Sequence, residues 1–414
     1  MSTPPARPGV SGPLLLVLAL LSAMAPFATD MYLPAFTGLA ADLGAGAAGV
    51  QLTLTTFLFG LAAGQLVIGP LSDRFGRRGP LLLATAVATL AGVLCALTPN
   101  IWFLVGARFL QGFAGAAGIV IGRAVAADRV SGPAVAKIFS LLASIGGIAP
   151  VVAPLAGGAL APLGWRSEFW ALTGISALML IGSLLVVPES LPPERRHTGG
   201  LAATGRTMRR LLGDRGYVGY TCAFALGFTG LMGYISASPF VIQNVLGLST
   251  AAYTVTFAVN ALGLLCAGLL TARLVGRVSP RKLLGRGQLV ILVMSAVLLA
   301  LLVAGAPAAV VLPALFLLVS SFTFVLGTAS ALAIGRAPGA SGTASALMGS
   351  LQFTLGAVVS PLVGLGGEDT AIPMGGTLVV AAVLGIGATR LTRGAAPAPG
   401  HRDAPADATA TADQ

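Results

Sequence analysis

Charge is the scarcest commodity in this chain. Only 9% of its 414 residues are Asp, Glu, Lys or Arg while 56% are hydrophobic, and a water-facing surface needs far more charge than that. A soluble globular protein is excluded. Cysteine and histidine are rarer still, with three and two copies. Cys95, Cys222 and Cys266 sit singly in apolar stretches, so they offer neither a disulfide framework nor a metal site and read as small core residues. No Gly-rich, Lys-ending phosphate loop occurs, which removes ATP hydrolysis as a power source unless a separate subunit supplies it. With no intramembrane histidine, cysteine pair or clustered carboxylates there is no catalytic constellation, and the chain reads as a non-enzyme that needs no cofactor.

What the chain has in abundance is apolar length. Stretches at about 13–34, 50–71, 80–98, 101–123, 136–162, 167–187, 216–236, 252–275, 283–304, 309–334, 341–365 and 371–391 each approach the ~20 residues that a membrane span requires. Lipid offers backbone groups no partners, so runs of this length are helices, whereas barrel strands would alternate over about ten residues. The expectation is an all-α membrane protein of twelve transmembrane helices.

The net charge of +11 suggests nucleic acid only until the basic residues are placed. When the connections are numbered alternately, all of the 24 except Arg108 and Arg166 fall on one side, from Arg7 through the Arg195–Arg215 cluster to Arg402. By the positive-inside rule both termini are then cytoplasmic, and the charge records topology rather than nucleic-acid binding. The first apolar run also imitates a signal peptide, with Arg7 ahead of it and Ala23-Met24-Ala25 as a small-residue site, but Pro26 would follow the cut and the later spans insert regardless.

The longest polar connection, with Pro-Pro, Gly-Gly and six basic residues, divides six helices from six. The expected organisation is a disordered N-terminus over 1–12, a six-helix bundle over 13–187, a cytoplasmic linker over 188–215, a second bundle over 216–392 and a disordered tail over 393–414. An offset of 203 places Gly44 on Gly247, Gly60 on Gly263, Arg74 on Arg277 and Arg78 on Arg281. That points to two parallel halves.

Among the residues able to do chemistry, Asp30 is the one acid read as lying well within a span. A carboxylate at depth costs on the order of 3 kcal/mol, so it tends to face a cavity and to exchange a proton, which suits a proton carrier or a cation-binding site. Pro26 and Pro34 bracket it and loosen the helix where a ligand would approach. Arg108 is the one basic residue well inside a span and needs an acceptor, either a first-helix carboxylate such as Asp30 or a backbone carbonyl. The segment from Gly69 to Arg78 reads as a loop in which Gly69 permits close helix contact, Asp73 accepts or pairs, Gly76 permits a tight turn, and Arg74, Arg77 and Arg78 anchor the face. Asp128 is the acid expected to pair with Arg77 or Arg78. In the fifth helix Pro150 and Pro154 share a face and bend it, while Gly157 and Gly158 allow close packing.

These residues carry a likeness. GPLSDRFGRR at 69–78 resembles the signature loop of the major facilitator superfamily, and RFLQGFAGAAG at 108–118 and APVVAPLAGG at 149–158 resemble the second and third motifs of its twelve-helix drug–proton antiporters. TDMYLPAF at 29–36, the segment from Gly164 to Trp170, Pro188-Glu189-Ser190-Leu191-Pro192, Ser238-Pro239-Phe240 and Gly342 to Ala346 resemble its bicyclomycin/chloramphenicol-resistance branch, so that the likeness runs from about 13 to 392. The general antiporter motif has glycine where this chain has Ala149 and Ala153.

The resemblance implies two pseudo-symmetric six-helix bundles rocking about a central cavity in the bacterial cytoplasmic membrane. It implies that Asp30 takes part in proton coupling or cationic-drug binding with support from Arg108 and Gln111, and that Asp73, Arg74, Arg77 and Asp128 latch the inward gate. The function expected is a monomeric multidrug exporter driven by the proton gradient. A proton-coupled importer of a small metabolite is the alternative, but an importer of anions would carry more basic residues than the single arginine in this apolar interior.

Overall fold

The computed structural model describes residues 10–130, 133–196, 200–275, 277–338 and 340–394. The expectations for the two ends, and those resting on Arg7 and Arg402, lie outside them.

Among the described residues twelve helices are long and apolar enough to cross a bilayer. The shortest has 19 residues, which at 1.5 Å per residue spans roughly 28 Å, against about 30 Å of hydrocarbon. The first half holds α1 (Gly12–Asp30), a short α2 (Phe36–Asp42) that continues its path, α3 (Ala47–Phe75), α4 (Arg78–Ala96), α5 (Ile101–Arg129), α6 (Pro133–Leu160) and α7 (Trp165–Val186). A connecting helix α8 (Gly200–Gly213) follows. The second half holds α9 (Arg215–Phe240), α10 (Thr250–Val275), α11 (Pro280–Val303), α12 (Ala308–Ile334), α13 (Ser341–Gly364) and α14 (Ile372–Arg390).

Polar residues mark the starts. Asn100 caps α5 by accepting from Phe103 N at 3.0 Å, and Asp214 caps α9 by accepting from Gly216 N and Tyr217 N at 2.7 and 3.1 Å. The outer surface is apolar, with Leu83 68%, Trp102 72% and Leu185 79% exposed, an arrangement that lipid tolerates and water does not.

Within the first half α3 packs on α5, α4 on α7, and α1 on α5, α6 and α7; in the second, α9 packs on α12, α13 and α14, and α10 on α12. The halves meet along α3 with α13 and α6 with α10. Hydrogen bonds joining them cluster at the face remote from the arginines. Gln51 Nε2 donates to Ser236 O at 3.0 Å, Ser360 Oγ donates to Gln51 O at 3.4 Å, and Gln243 lies between Thr37 and Pro34 at 3.5 Å from each.

The internal repeat has a backbone signature. Gly44 and Gly247 both turn through positive φ, at 59° and 65°, and so do Gly164 and Gly367, at 87° and 88°, again 203 residues apart. The second pair is absent from the pattern read in the sequence. Likewise Gly60 lies against the α5 backbone at Phe109 and Phe113, and Gly263 lies against Phe316 and Ser320 of α12, so each half uses the same close approach.

One boundary differs from expectation. The segment 69–78 is not a loop: α3 continues through Phe75, and only Gly76 and Arg77 separate it from α4. Pro70 lies inside the helix without ending it.

Candidate functional site

Asp30 is the last residue of α1, where Pro34 has forced the regular helix to stop and restart at Phe36 after a single tight turn, Leu33–Ala35. Its side chain is buried and Oδ1 has no hydrogen-bond partner. It lines a cavity of about 190 Å³ between the halves, together with Pro26 and Pro150 from the first half and Phe228, Tyr234, Phe257 and Phe353 from the second. The walls are almost wholly apolar, and the acid is the only charged side chain among the lining residues.

Arg108 is fully buried in α5. Of the two acceptors considered for it, the structure supplies the backbone carbonyl: Nη2 donates to Ala28 O at 2.7 Å, and Nη1 donates to Gln111 Oε1 at 2.6 Å. Ala28 O is one of the last carbonyls of α1, which the broken helix leaves without an amide. Among the described residues no ion pair joins Arg108 to Asp30. The guanidinium lies instead between rings, 4.3 Å from the centroid of Phe57, 4.4 Å from Tyr32 and 5.8 Å from Phe169. It therefore fixes the end of α1 two residues before the acid, and Gln111 orients it.

The helix-five motif meets the same place. Pro150 lines the cavity and Pro154 is buried. A Cβ on Gly157 would collide with the backbone carbonyl of Met31, and one on Gly158 with Thr254 of α10, so the two glycines bring α6 against the end of α1 and against the other half. Gly157→Val is expected to displace α6 from Asp30 and to lower transport at least about tenfold, since a 1 Å misplacement can cost more than that. Gly146→Ala, where a Cβ meets nothing within 4 Å, should transport as the wild type does. Equal rates for both variants in reconstituted vesicles would remove the close approach as a requirement.

At the arginine-rich face Arg77 gathers the acids. It donates to Asp73 Oδ1 at 2.5 Å, Ser72 Oγ at 2.7 Å and Asp128 Oδ2 at 3.3 Å, and Ser190 Oγ reaches the same Asp128 oxygen at 2.9 Å. Arg78 turns away to Leu184 O at 2.9 Å, while Arg74 lies 5.2 Å from the ring of Phe75, outside this network. A Cβ on Gly69 would sit at an ordinary 3.5 Å from Val120, so that glycine is not required by packing. Gly76 is required: its φ is 93°, and Glu189 occupies the space that a side chain would need.

The Major Facilitator Superfamily model matches residues 18–361. The chain belongs to the Major Facilitator Superfamily. Among curated relatives of this facilitator, an uncharacterized MFS-type transporter, YdgK, of Bacillus subtilis is 39% identical over 89% of this chain and 92% of the relative. A bicyclomycin resistance protein homolog of Haemophilus influenzae is 32% identical over 90% and 94%, and a multidrug resistance protein MdtL of Escherichia fergusonii is 26% identical over 87% and 90%. Its fold is similar to that of a crystallised D-xylose-proton symporter, with a TM-score of 0.74, 18% identity, and coverage of 90% of this chain and 96% of the other. A bacterial homolog of the lysosomal transporter Spinster, inward-facing and unoccupied, gives 0.73 at 16% identity, over 94% and 97%. The facilitator is thus a multi-pass membrane transporter and not an enzyme.

Two features of this facilitator escaped the sequence. The wall opposite Asp30 comes from the second half, whose aromatic residues carry no motif. Glu189, quoted only as part of a family-like segment, reaches across 112 residues to cap α4: Oε1 accepts from Arg77 N at 2.8 Å and from Leu191 N at 2.9 Å, and Oε2 accepts from Arg78 N at 3.2 Å. Burial alone would raise its pKa, but these amides and the guanidinium of Arg196 outweigh that and hold the carboxyl below its ordinary 4.5. A depressed folded pKa stabilises above the unfolded value, and the gain vanishes as pH falls through the folded one. The melting temperature of the wild type should therefore exceed that of Glu189→Gln at neutral pH, with the gap closing below about pH 4.5. A gap that is constant with pH would show that the carboxylate charge does not hold this clasp.

Proposed function

We propose that this facilitator exports small amphipathic organic compounds, drugs or self-made metabolites, in exchange for protons by alternating access, in the bacterial cytoplasmic membrane with both termini on the cytoplasmic side. The observation that carries the reading is the carboxyl of Asp30, buried and unpartnered on Oδ1, at the wall of an apolar, aromatic-lined cavity between the halves. Apolar walls with one acid suit amphipathic and cationic molecules. A proton and a substrate that compete for one carboxyl are coupled without further machinery, because binding of either favours release of the other.

The driving force suffices. One proton gains roughly 2.3 kcal/mol per 100 mV, and a tenfold gradient of a neutral substrate costs about 1.4 kcal/mol. The resistance-named relatives from Haemophilus and Escherichia support the substrate class, and the asymmetry of the arginines supports the orientation.

Everted membrane vesicles test the reading. Adding phenicols, bicyclomycin-like compounds and lipophilic cations to energised vesicles is expected to release protons from the lumen when one of them is a substrate. No release with any of these, together with proton-linked uptake of a sugar or organic acid, would establish the importer instead.

A further inference from the structure

Glu168 was not among the intramembrane acids expected from the sequence, where it reads as the second residue of a span. In the structure it stands in the first turn of α7, fully buried, and neither carboxyl oxygen has a hydrogen-bond partner. The ordinary structural uses of an acid at this position are taken up elsewhere. The N-cap of α7 is Gly164, so no reciprocal capping box forms. The neighbouring donors serve Asp42, whose Oδ2 accepts from Trp165 Nε1 at 2.9 Å and Arg166 Nη1 at 3.0 Å. Arg108 is committed to Ala28 and Gln111. A buried carboxylate without partners costs several kcal/mol unless a proton neutralises it.

Its place in the bundle gives that proton a route. On the face remote from the arginines a groove of about 470 Å³ is lined by Asp42, Trp165, Arg166 and Thr250. One helical turn inward, about 5 Å, Trp165 leads to Glu168 and Thr250 leads to Tyr253. Tyr253 is fully buried beside Ser238 and lies within electrostatic range of Tyr234, Asp30 and Glu168. A further turn along α10 brings Phe257, whose ring stacks on Tyr234 at 5.7 Å, and both line the Asp30 cavity. Asn260 Nδ2 donates to the Tyr234 oxygen at 2.9 Å, so Tyr234 keeps its own hydroxyl hydrogen as a donor beside Ser238.

We propose that Glu168 is a second proton-binding group of the transport cycle, taking protons from the groove beside Asp42 and Arg166 and passing them toward Asp30 through the hydroxyls of Tyr253 and Tyr234. The inference rests on the antiport reading above. Glu168 is not hydrogen-bonded to Tyr253 in this conformation, so the hand-over belongs to a state of the cycle that closes the gap: there Glu168 gives its proton to the Tyr253 oxygen as the Tyr253 proton moves to Tyr234 and that of Tyr234 to the Asp30 carboxylate. Each hydroxyl gains one proton and loses one, so only the two acids change charge. Among the described residues, the other titratable or charged groups at this end of the bundle are Tyr32 and Asp42 beside α1, Cys95 on α4, Arg108 on α5, Arg166 on α7, and Glu368 and Asp369 in the connection between α13 and α14; the described side chains of α6 add none. Asp42 and Arg166 pair with each other, and Arg108 lies over the Tyr32 ring.

The test uses the full chain in lipid. Infrared difference spectra across a pH series are expected to show two carboxyl groups exchanging protons, one lost in Glu168→Gln and the other in Asp30→Asn. In everted vesicles Glu168→Gln should slow substrate-driven proton release at least about hundredfold, the low end for a positioned proton-transfer group, without weakening substrate binding. Tyr253→Phe should slow it while keeping both carboxyl signals, and Glu168→Asp should restore part of the rate. Tyr253→Phe and Glu168→Asp carry the test if Glu168→Gln does not accumulate. An unchanged spectrum in Glu168→Gln, or wild-type rates in both Glu168→Gln and Tyr253→Phe, would overturn the proposal. A Glu168 signal that titrates in a protein releasing no protons with any compound would sink the antiport reading while retaining Glu168 as a proton-binding group.

Discussion

Asparagine at position 30 is expected to abolish substrate-driven proton release, lowering it at least about hundredfold, while leaving the protein folded and able to exchange one substrate molecule for another. The substitution is nearly isosteric, and Oδ1 of Asp30 holds no hydrogen bond that the amide would forfeit. Burying a neutral amide in place of an ionisable acid does not add charge to an apolar cavity, so the melting temperature should hold or rise. What disappears is the carboxyl on the cavity wall, the group able to alternate between a proton and a cationic or polar substrate. Counterflow with saturating substrate on both sides needs no net proton movement and serves as the control. Wild-type proton release in Asp30→Asn would place coupling elsewhere, and loss of counterflow as well would make Asp30 a binding residue first.

Truncation of Arg108 should have the second largest effect, and through position rather than proton chemistry. Arg108→Ala removes a fully buried side chain that fills the space between Tyr32, Phe57 and Phe169 and satisfies the Ala28 carbonyl. An unfilled cavity and an orphaned carbonyl together cost on the order of 3 kcal/mol, enough to lower the melting temperature clearly. The end of α1 then loses its tie, and Asp30 loses its place on the cavity wall. Arg108→Lys keeps the charge but not the planar fork that holds Ala28 and Gln111 together while lying over rings. Lysine should thus rescue accumulation in the membrane and leave transport at least about tenfold down, an effect in the range expected when a reacting group is misplaced. Full transport in Arg108→Lys would show that a positive charge is enough.

The sequence exposed some parts of this site more readily than others. Asp128, at the same face as the arginine-rich turn, was expected to pair with Arg77 or Arg78, and the structure brings it to Arg77 at 3.3 Å. For Arg108 the sequence left two acceptors open, and only the break of α1 after Asp30, which frees the Ala28 carbonyl, decides between them. Arg74 shares the motif of Arg77 but not its network, because it follows Asp73 on α3 and so points about 100° away from that acid, outward to the ring of Phe75, whereas Arg77 lies past the end of α3. Glu168 was hidden for the opposite reason. An acid near the end of an apolar run reads as wetted, and that it is sealed in by other helices is a fact about their packing.

Hydrophobic length, the scarcity of charge and the one-sided arginines determined by themselves that this chain is a twelve-helix membrane protein, because in lipid the backbone must satisfy its own hydrogen bonds and only helices of that length do so within a segment. The motifs in the first half determined the family. The tertiary structure alone decided which residues face one another: the aromatic wall of the second half opposite Asp30, the Glu189 clasp on α4, and the burial of Glu168 between groove and cavity. Those relations join residues up to 323 positions apart, from Asp30 to Phe353, and apolar periodicity states only that a face is buried, not against what.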